Sequence, residues 1–370
     1  MKVLITGADG FIGKNLVAHL KERPSIEVMR FVRGDTSAEL QTQVAQADFV
    51  FHLAGVNRPS DEAEFAQGNC ELTRALCDAL RGTGRRVPVV YTSSIQAERD
   101  NAYGVSKRGA EEALRALAAH TGQPVYVYRL PNVFGKWARP NYNSAVATFC
   151  HNIVHDLPIQ VNDPAAALRL VYVDDVIAAF LRHLSEESPG ELYQQVAPVY
   201  DATVGTLAEQ LYAFKRSRTN MVTEAVGTGL VRALYSTYIS YYEPEQFAYP
   251  LVKHEDPRGV FVEMLKTPDC GQFSFFTAHP GVTRGGHYHH TKTEKFLVIK
   301  GEARFSFRHI ESGATHEYFT AGHTPEVVET IPGWSHDITN IGKDEMVVML
   351  WANEIFDRQK PDTVAYKVQS

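Results

Sequence analysis

The run KVLIT leads directly into Gly7-x-x-Gly10-x-x-Gly13, and a helical pattern opens inside that glycine triplet. Few short signals constrain a fold as much. Glycines here let the backbone turn tightly from strand to helix. They also let a diphosphate approach the helix N-terminus, where unpaired N–H groups and a partial positive charge point at it. A strand that feeds a helix in this way commits the chain to crossover connections and hence to a parallel sheet. Up to about residue 185 the pattern continues. Strands are expected at 2–6, 26–32, 49–53, 87–92 and 125–130, alternating with helix-like stretches. They are nearly continuous apolar runs, as strands covered on both faces are. The expectation is a doubly wound α/β parallel sheet that binds a dinucleotide.

After about Val252 the period changes. Short strands recur between glycine turns at Gly259, Gly271, Gly285-Gly286, Gly301, Gly313, Gly322, Gly333 and Gly342, which predicts an all-β sandwich or barrel. With 370 residues there is enough chain for two cores. The expected division is 1–245 and 246–370, with the 190–249 stretch helical and Glu243-Pro244-Glu245 as the linker. A net charge of −6 argues against a general binder of nucleic acid or anionic membrane. No apolar run is long enough to span a bilayer, and the start does not read as a signal peptide. The four cysteines form no C-x-x-C pair. Reduced thiols in a cytoplasmic protein are the expectation.

Tyr103-Gly-Val-Ser-Lys107 carries the chemistry expected of the first half. At the start of a helix, residues i and i+4 share a face. The Lys107 ammonium can then stabilise the Tyr103 phenolate and lower its pKa, while Tyr103 protonates a carbonyl oxygen as hydride reaches the carbon. Ser94, or Ser93, ends the preceding strand and can hydrogen-bond the same oxygen. The second strand ends at Arg33, where an NAD site would usually carry an acid for the ribose 2′-hydroxyl. A guanidinium suits a 2′-phosphate, so NADPH is expected over NADH.

In the second half, His287-x-His289-x4-Glu294 is followed by Pro332-Gly333-x2-His336-x3-Asn340. Alternation on a strand points His287 and His289 to one side. Three imidazoles and a carboxylate suit zinc, or an open-shell iron, nickel or manganese. His290 and His323 are candidates for supporting roles. Tyr288, Lys292, His290 and Asp337 are open candidates for an acid or base. The helical pair His151 and His155 reads as structural.

These motifs carry a resemblance. GADGFIG, His52-Leu-Ala-Gly55, Asn69, Arg129-Leu-Pro-Asn-Val-Phe-Gly135 and Tyr172-Val-Asp-Asp175 resemble the extended short-chain dehydrogenase/reductases, with a Rossmann-like fold. The resemblance implies that Gly7, Gly10, Phe11, Ile12, Gly13, Leu53, Ala54, Gly55, Asn69, Tyr103 and Lys107 hold the cofactor. It implies a sugar-nucleotide substrate, with Asn132, Lys136, Arg139 and Arg169 on its side of the site. The span between Arg33 and Asp48 is shorter than usual, so the third strand and its helices are abbreviated. The glycine and histidine pattern from Gly281 to Asn340 resembles the two cupin motifs, although Pro332 and Gly333 adjoin where Pro-x-Gly is usual.

In this domain order the whole chain resembles the bifunctional capsular-polysaccharide synthesis enzymes of the UDP-N-acetyl-L-fucosamine pathway. That resemblance implies a homodimer with zinc in the cupin. It implies C3 epimerisation of a UDP-linked 4-keto-6-deoxy amino sugar there and NADPH-dependent C4 reduction in the first domain. The product would be UDP-2-acetamido-2,6-dideoxy-L-talose. The alternative is a single-function NADPH-dependent 4-keto-sugar reductase with a structural or dimerising cupin.

Overall fold

The structure is a computed structural model. It describes all residues except 60, 186–190, 248, 291, 311, 331–332 and 369–370. Pro332 of the second cupin-like motif, and the start of the expected 190–249 helical stretch, therefore lie outside the described residues.

Two compact units are present. The first comprises Met1–Leu211 and Thr228–Tyr242, the second Tyr212–Gly227 and Glu243–Ser370. The chain thus passes between units three times, because residues 212–227 pack with the second.

The first unit contains β1 (Lys2–Thr6), β2 (Glu27–Phe31), β3 (Phe49–His52), β4 (Val89–Ser94), β5 (Val125–Leu130), β6 (Asn132–Phe134), β7 (Ala167–Tyr172), β8 (Tyr193–Gln194) and β9 (Tyr200–Thr203). Its main sheet runs β2-β1-β3-β4-β5-β8, parallel throughout. A small sheet, β6-β7-β9, stands beside it. Helix Phe11–Lys21 follows β1, and the order of β2, β1 and β3 is that of a crossover sheet. β2 is the edge strand, because the chain passes from it through Ser37–Gln46 directly to β3. The short span after Arg33 leaves no room for another strand outside β2.

Leu4, Val50, Val89 and Val127 pack on one face of the sheet with Leu76, Leu80 and Leu114. On the helices, Leu16, Leu20, Ile177 and Phe180 are also fully buried, and the Phe180 ring stacks on Phe51 at 6.0 Å. Each such side chain contributes about 2 kcal/mol by leaving water. Among the described residues no helix is long and apolar enough to cross a membrane.

The 190–249 stretch is more mixed than its sequence suggests. Its helices are Val204–Asn220 and Gly229–Ile239, and β8 and β9 precede them. β8 is drawn into strand form because Val127 and Tyr128 offer it an open sheet edge.

The second unit contains β10 (Lys253–Asp256), β11 (Gly259–Thr267), β12 (Gly271–Ala278), β13 (Thr283–Tyr288), β14 (Glu294–Lys300), β15 (Glu302–His309), β16 (Thr315–Ala321), β17 (Val327–Glu329), β18 (Trp334–Asn340), β19 (Met346–Ala352) and β20 (Val364–Ala365). Two antiparallel sheets form, β10-β11-β12-β19-β14-β17 and β16-β15-β18-β13-β20. This is the expected all-β, cupin-like architecture. Phe276, Phe296, Val298, Phe305, Ile338 and Val348 fill the core. Glu294 shares a strand face with Phe296 and Val298, and His336 shares one with Ile338, so both polar side chains lie at the edge of that core.

Candidate active site and metal centre

In the first unit, the ends of β1, β3, β4 and β5 border a cleft of about 770 Å³. Gly7 adopts a φ of 71°, and a Cβ there would stand 2.7 Å from the Ala54 backbone nitrogen. Only glycine lets the first turn and the loop after β3 come this close. Gly7, Gly10, Phe11, Ile12, Gly13, Leu53 and Gly55 all line the cleft. Ala54 lies against Gly7 and Asn69 against Gly55. Asn69 accepts from the Val56 backbone (2.9 Å) and donates to Ser106 Oγ (3.0 Å), which ties the loop to the catalytic helix. Arg33 is exposed and does not border the cleft, while Arg30 pairs with Asp9 in the glycine turn.

Helix Ala102–Thr121 starts at Asn101, whose side chain caps the Gly104 N–H at 2.7 Å. That start presents Tyr103 and Lys107 to the cleft one turn apart. Lys107 Nζ donates to the Thr92 carbonyl at 3.0 Å and lies 6.0 Å from the Tyr103 ring centroid. A Cβ on Gly55 would sit 3.0 Å from that ammonium, so glycine makes the space Lys107 occupies. Burial lowers Lys107 to about 8, and Glu111 partly opposes the fall. Burial raises Tyr103 above its ordinary value, and a hydrogen bond with Ser94 opposes the rise.

The expected depression of Tyr103 by Lys107 is therefore reversed. The phenol loses more to its dry surroundings than the Ser94 hydrogen bond returns. A tyrosine that holds its proton is the form a reductase uses as an acid.

The two serines separate clearly. Ser93 Oγ donates to Glu111 at 2.5 Å, so it is occupied inside the fold. Ser94 is left to meet Tyr103. Glu111 itself escaped the sequence reading. Burial works to raise its pKa, but Arg129, Ser93 and Tyr193 outweigh it and hold the carboxylate ionised. Arg129 forks onto it at 3.0 and 2.7 Å. The available signal was spacing, since Tyr103, Lys107 and Glu111 recur every four residues on one helix.

Of the expected substrate residues, Asn132 and Arg139 border the cleft. Asn132 donates to the Arg169 carbonyl at 3.1 Å, and the Arg139 guanidinium lies over the Tyr142 ring. Arg169 borders a second cavity of about 320 Å³. Lys136 Nζ is paired with Asp174 at 2.7 Å and does not line the cleft.

In the second unit, ligand atoms of His287, His289, Glu294 and His336 all lie within 4.8 Å of one another. His287 and His336 are opposed residues in β13 and β18. His289 lies just beyond β13, yet its ring is 4.9 Å from that of His287. The Asp362 carbonyl fixes it, 2.5 Å from Nδ1, and the Asp362 carboxylate accepts from the His290 and Lys292 backbones. This anchor lies seventy-odd residues away and left no local signal.

Glu294 Oε2 is 3.1 Å from His289 Nε2. Burial works against its ionised form, but His289, His336 and Lys292 hold its pKa well below the carboxylate range. Burial, with His336 and His289 adding, lowers His287 to about 4, so it offers a neutral imidazole. His336 Nε2 is 3.3 Å from Glu294 but is not aligned as a hydrogen bond, and both its ring nitrogens lack oriented partners. Buried polar atoms without partners are rare. A cation among these four donors would satisfy them, and neutral imidazoles with one carboxylate suit a borderline divalent metal.

Of the open acid–base candidates, Lys292 is the one at the cluster, 3.1 Å from Glu294 Oε1. Asp337 points to the opposite face from His336, and burial raises its pKa. His290 and His323 are exposed and are not among the converging donors.

Together the fold and these constellations define a nicotinamide-dependent short-chain reductase joined to a cupin-like domain. Residues 3–195 match the NAD dependent epimerase/dehydratase family, and residues 254–364 match the polysaccharide biosynthesis C-terminal domain. A UDP-2-acetamido-2,6-beta-L-arabino-hexul-4-ose reductase from Pseudomonas aeruginosa is 61% identical, over 100% of this chain and 99% of that protein. The crystal structure of capsular polysaccharide assembling protein CapF from Staphylococcus aureus superposes with a TM-score of 0.92 at 42% identity, covering both chains fully. UDP-glucuronic acid 4-epimerase from Bacillus cereus shares the fold of the first unit, with a TM-score of 0.56 at 18% identity over 65% of this chain. The chain belongs to the NAD dependent epimerase/dehydratase family and carries a polysaccharide biosynthesis C-terminal domain besides.

Proposed function

We propose that the first unit reduces the C4 ketone of a UDP-linked 2-acetamido-2,6-dideoxy-4-hexulose with NADPH, and that the cupin inverts C3 of the same sugar. The observation that carries the reading is the Tyr103–Ser94–Lys107 group in a glycine-walled cleft. The 61% identity to a reductase named for such a ketone supports it. The product would be UDP-2-acetamido-2,6-dideoxy-L-talose.

Bound in the cleft, the reduced nicotinamide supplies the hydride. Tyr103 gives its phenolic proton to the C4 oxygen, and Ser94 hydrogen-bonds that oxygen and orients it. Lys107 holds a positive charge beside the phenolate that remains. Glu111 keeps Lys107 protonated and locks Ser93, so that Ser94, whose Oγ also accepts from the Gln96 N–H, is the serine that meets Tyr103 and the substrate. The cofactor-side residues are Gly7, Gly10, Phe11, Ile12, Gly13, Leu53, Ala54, Gly55 and Asn69, with Arg33 as the partner for a 2′-phosphate. Asn132, Arg139 and Arg169 take the sugar-nucleotide side. Lys136 serves by holding its loop through Asp174 rather than by meeting phosphate.

In the second unit His287, His289, Glu294 and His336 would hold the metal, with zinc as the fit for their donor set. A bound cation supplies positive charge that favours an enolate form of a neighbouring ketone. Lys292 is held against Glu294 at the rim of the cluster. Asp362 positions His289 and the loop that follows it. Epimerisation must precede reduction, because the C3 proton is acidic only while C4 is a ketone. The chain acts as a cytoplasmic homodimer in this reading.

The test is to supply the UDP-4-keto sugar with NADPH and follow both cofactor oxidation and product stereochemistry. NADPH oxidation with an L-talo product is expected. Oxidation that leaves C3 unchanged would reduce the chain to a 4-ketoreductase.

A further inference from the structure

Among the described residues, four non-glycine residues have a positive φ: Trp137, Asn141, Asp156 and Met221. Asn and Asp tolerate that region, but a bulky side chain there is a genuine outlier. Trp137, at 68°, is also half exposed, where a large apolar ring gains least from the fold. Such strain persists only where the surroundings over-determine it, and it gathers at binding sites.

The turn is over-determined here. Asn15, fully buried, donates to the Lys136 carbonyl at 3.1 Å. Lys136 Nζ is held by Asp174 at 2.7 Å. Tyr241 donates its hydroxyl to the Ala138 carbonyl at 2.6 Å. The residues on either side of Trp137 are thus fastened, and Trp137 is left in the wall of the large cleft.

Near this point the wall mixes polar Asn132, Arg139, Asn143 and Ser144 with the smaller apolar Pro131, Val133 and Ala138. Among the described residues, Ile95 and Trp137 are the exposed large hydrophobic side chains bordering the cleft, and Trp137 is the more exposed, at 50% against 37%. A 6-deoxy hexose carries a methyl where other hexoses carry a hydroxymethyl, so one side of it needs apolar cover. The Lys136 ammonium lies 5.5 Å from the indole centroid and polarises the ring from its own chain neighbour.

We propose that Trp137 is a specificity-determining residue of the reductase cleft, its indole lying against the apolar side of the 6-deoxy hexose. The inference rests on the reductase reading above. It is tested with Trp137→Gly, Trp137→Ala and Trp137→Phe in the full-length protein, measuring KM for the UDP-4-keto sugar and for NADPH, Ki for UDP, and Tm. The sugar-nucleotide KM should rise about tenfold in the Gly and Ala variants and recover in Trp137→Phe. KM for NADPH and Ki for UDP should stay at their wild-type values. Tm of Trp137→Gly should equal or exceed that of Trp137→Ala, because glycine alone adopts this φ without strain.

An unchanged sugar KM overturns the proposal. So does an equal loss for UDP, which would place the indole on the uracil, or a rise confined to NADPH. Wild-type protein that does not turn over the keto sugar would remove the reductase reading, and this inference with it. Wild-type turnover with indifferent Trp137 variants removes this inference alone.

Discussion

The two sites are built on opposite terms. In the reductase cleft the chain's own groups answer one another. Lys107 has the Thr92 carbonyl, Glu111 has Arg129, Ser93 and Tyr193, and Asn69 has Val56 and Ser106. In the cupin four donors converge and His336 is left with no oriented partner on either ring nitrogen. The first site is finished by folding, whereas the second is finished by a cation. Stability and activity should therefore respond differently to changes in each.

The largest effect is expected at Tyr103. Tyr103→Phe should lower reductase kcat/KM by about a thousandfold, the usual range for a lost general acid. NADPH affinity and cupin function should remain. Near-normal reduction would break the assignment of the acid.

Removing the cation comes next. Chelation, or His336→Ala, should lower the Tm of the cupin transition by about 5 °C or more, since a ligand bound only by the folded state stabilises by mass action. The reductase transition should not move. A chelator that leaves both transitions in place would mean that the four donors satisfy themselves, and the contrast between the sites would fail.

Glu111→Gln probes the finished site more finely. Because Glu111 opposes the fall in Lys107, its loss should move the alkaline limb of the reductase pH profile below about 8, where Lys107 loses its proton. The accompanying fall in kcat/KM should be about tenfold. A purely structural carboxylate would lower Tm without moving that limb.

His52 gives the first unit its own pH signature. Burial, and Lys107 after it, lowers His52 to about 3, and it bonds Thr6 and Thr73 at 2.7 and 2.8 Å. The unfolded chain binds the extra proton first, so this stability is complete above pH 6.5 and is lost as pH falls toward about 3. His52→Gln should flatten the decline of the first unit's stability over that window. The smallest effect belongs to Arg33. Its replacement by Ala should raise KM for NADPH a fewfold and leave NADH use unchanged.

What the sequence made legible followed from local periodicity. β1, the helix Phe11–Lys21 and β5 fall where their apolar runs predict, and the glycine triplet and the Tyr103–Lys107 spacing place the cleft. The four metal-type donors were visible from their spacing: β13 and β18 present His287 and His336 in register and Glu294 opens β14, while His289 lies just beyond β13.

What remained hidden depends on contacts between distant parts of the chain. Asp362 reaches His289 across the barrel, Glu111 gathers donors from β4, β5 and β8, and the 212–227 segment joins the second unit. The sign of the Tyr103 shift was hidden too, because desolvation is a property of the packed site and not of spacing. The resemblance put Lys136 on the substrate side, and only the fold shows its pairing with Asp174.

The central claim is that the two sites act separately on one sugar. Tyr103→Phe, incubated with the UDP-4-keto sugar and NADPH in D2O, tests it most directly. The account predicts deuterium at C3 with the C4 ketone still present. A ketone recovered without any label at C3, from a variant that still binds its metal, would contradict it.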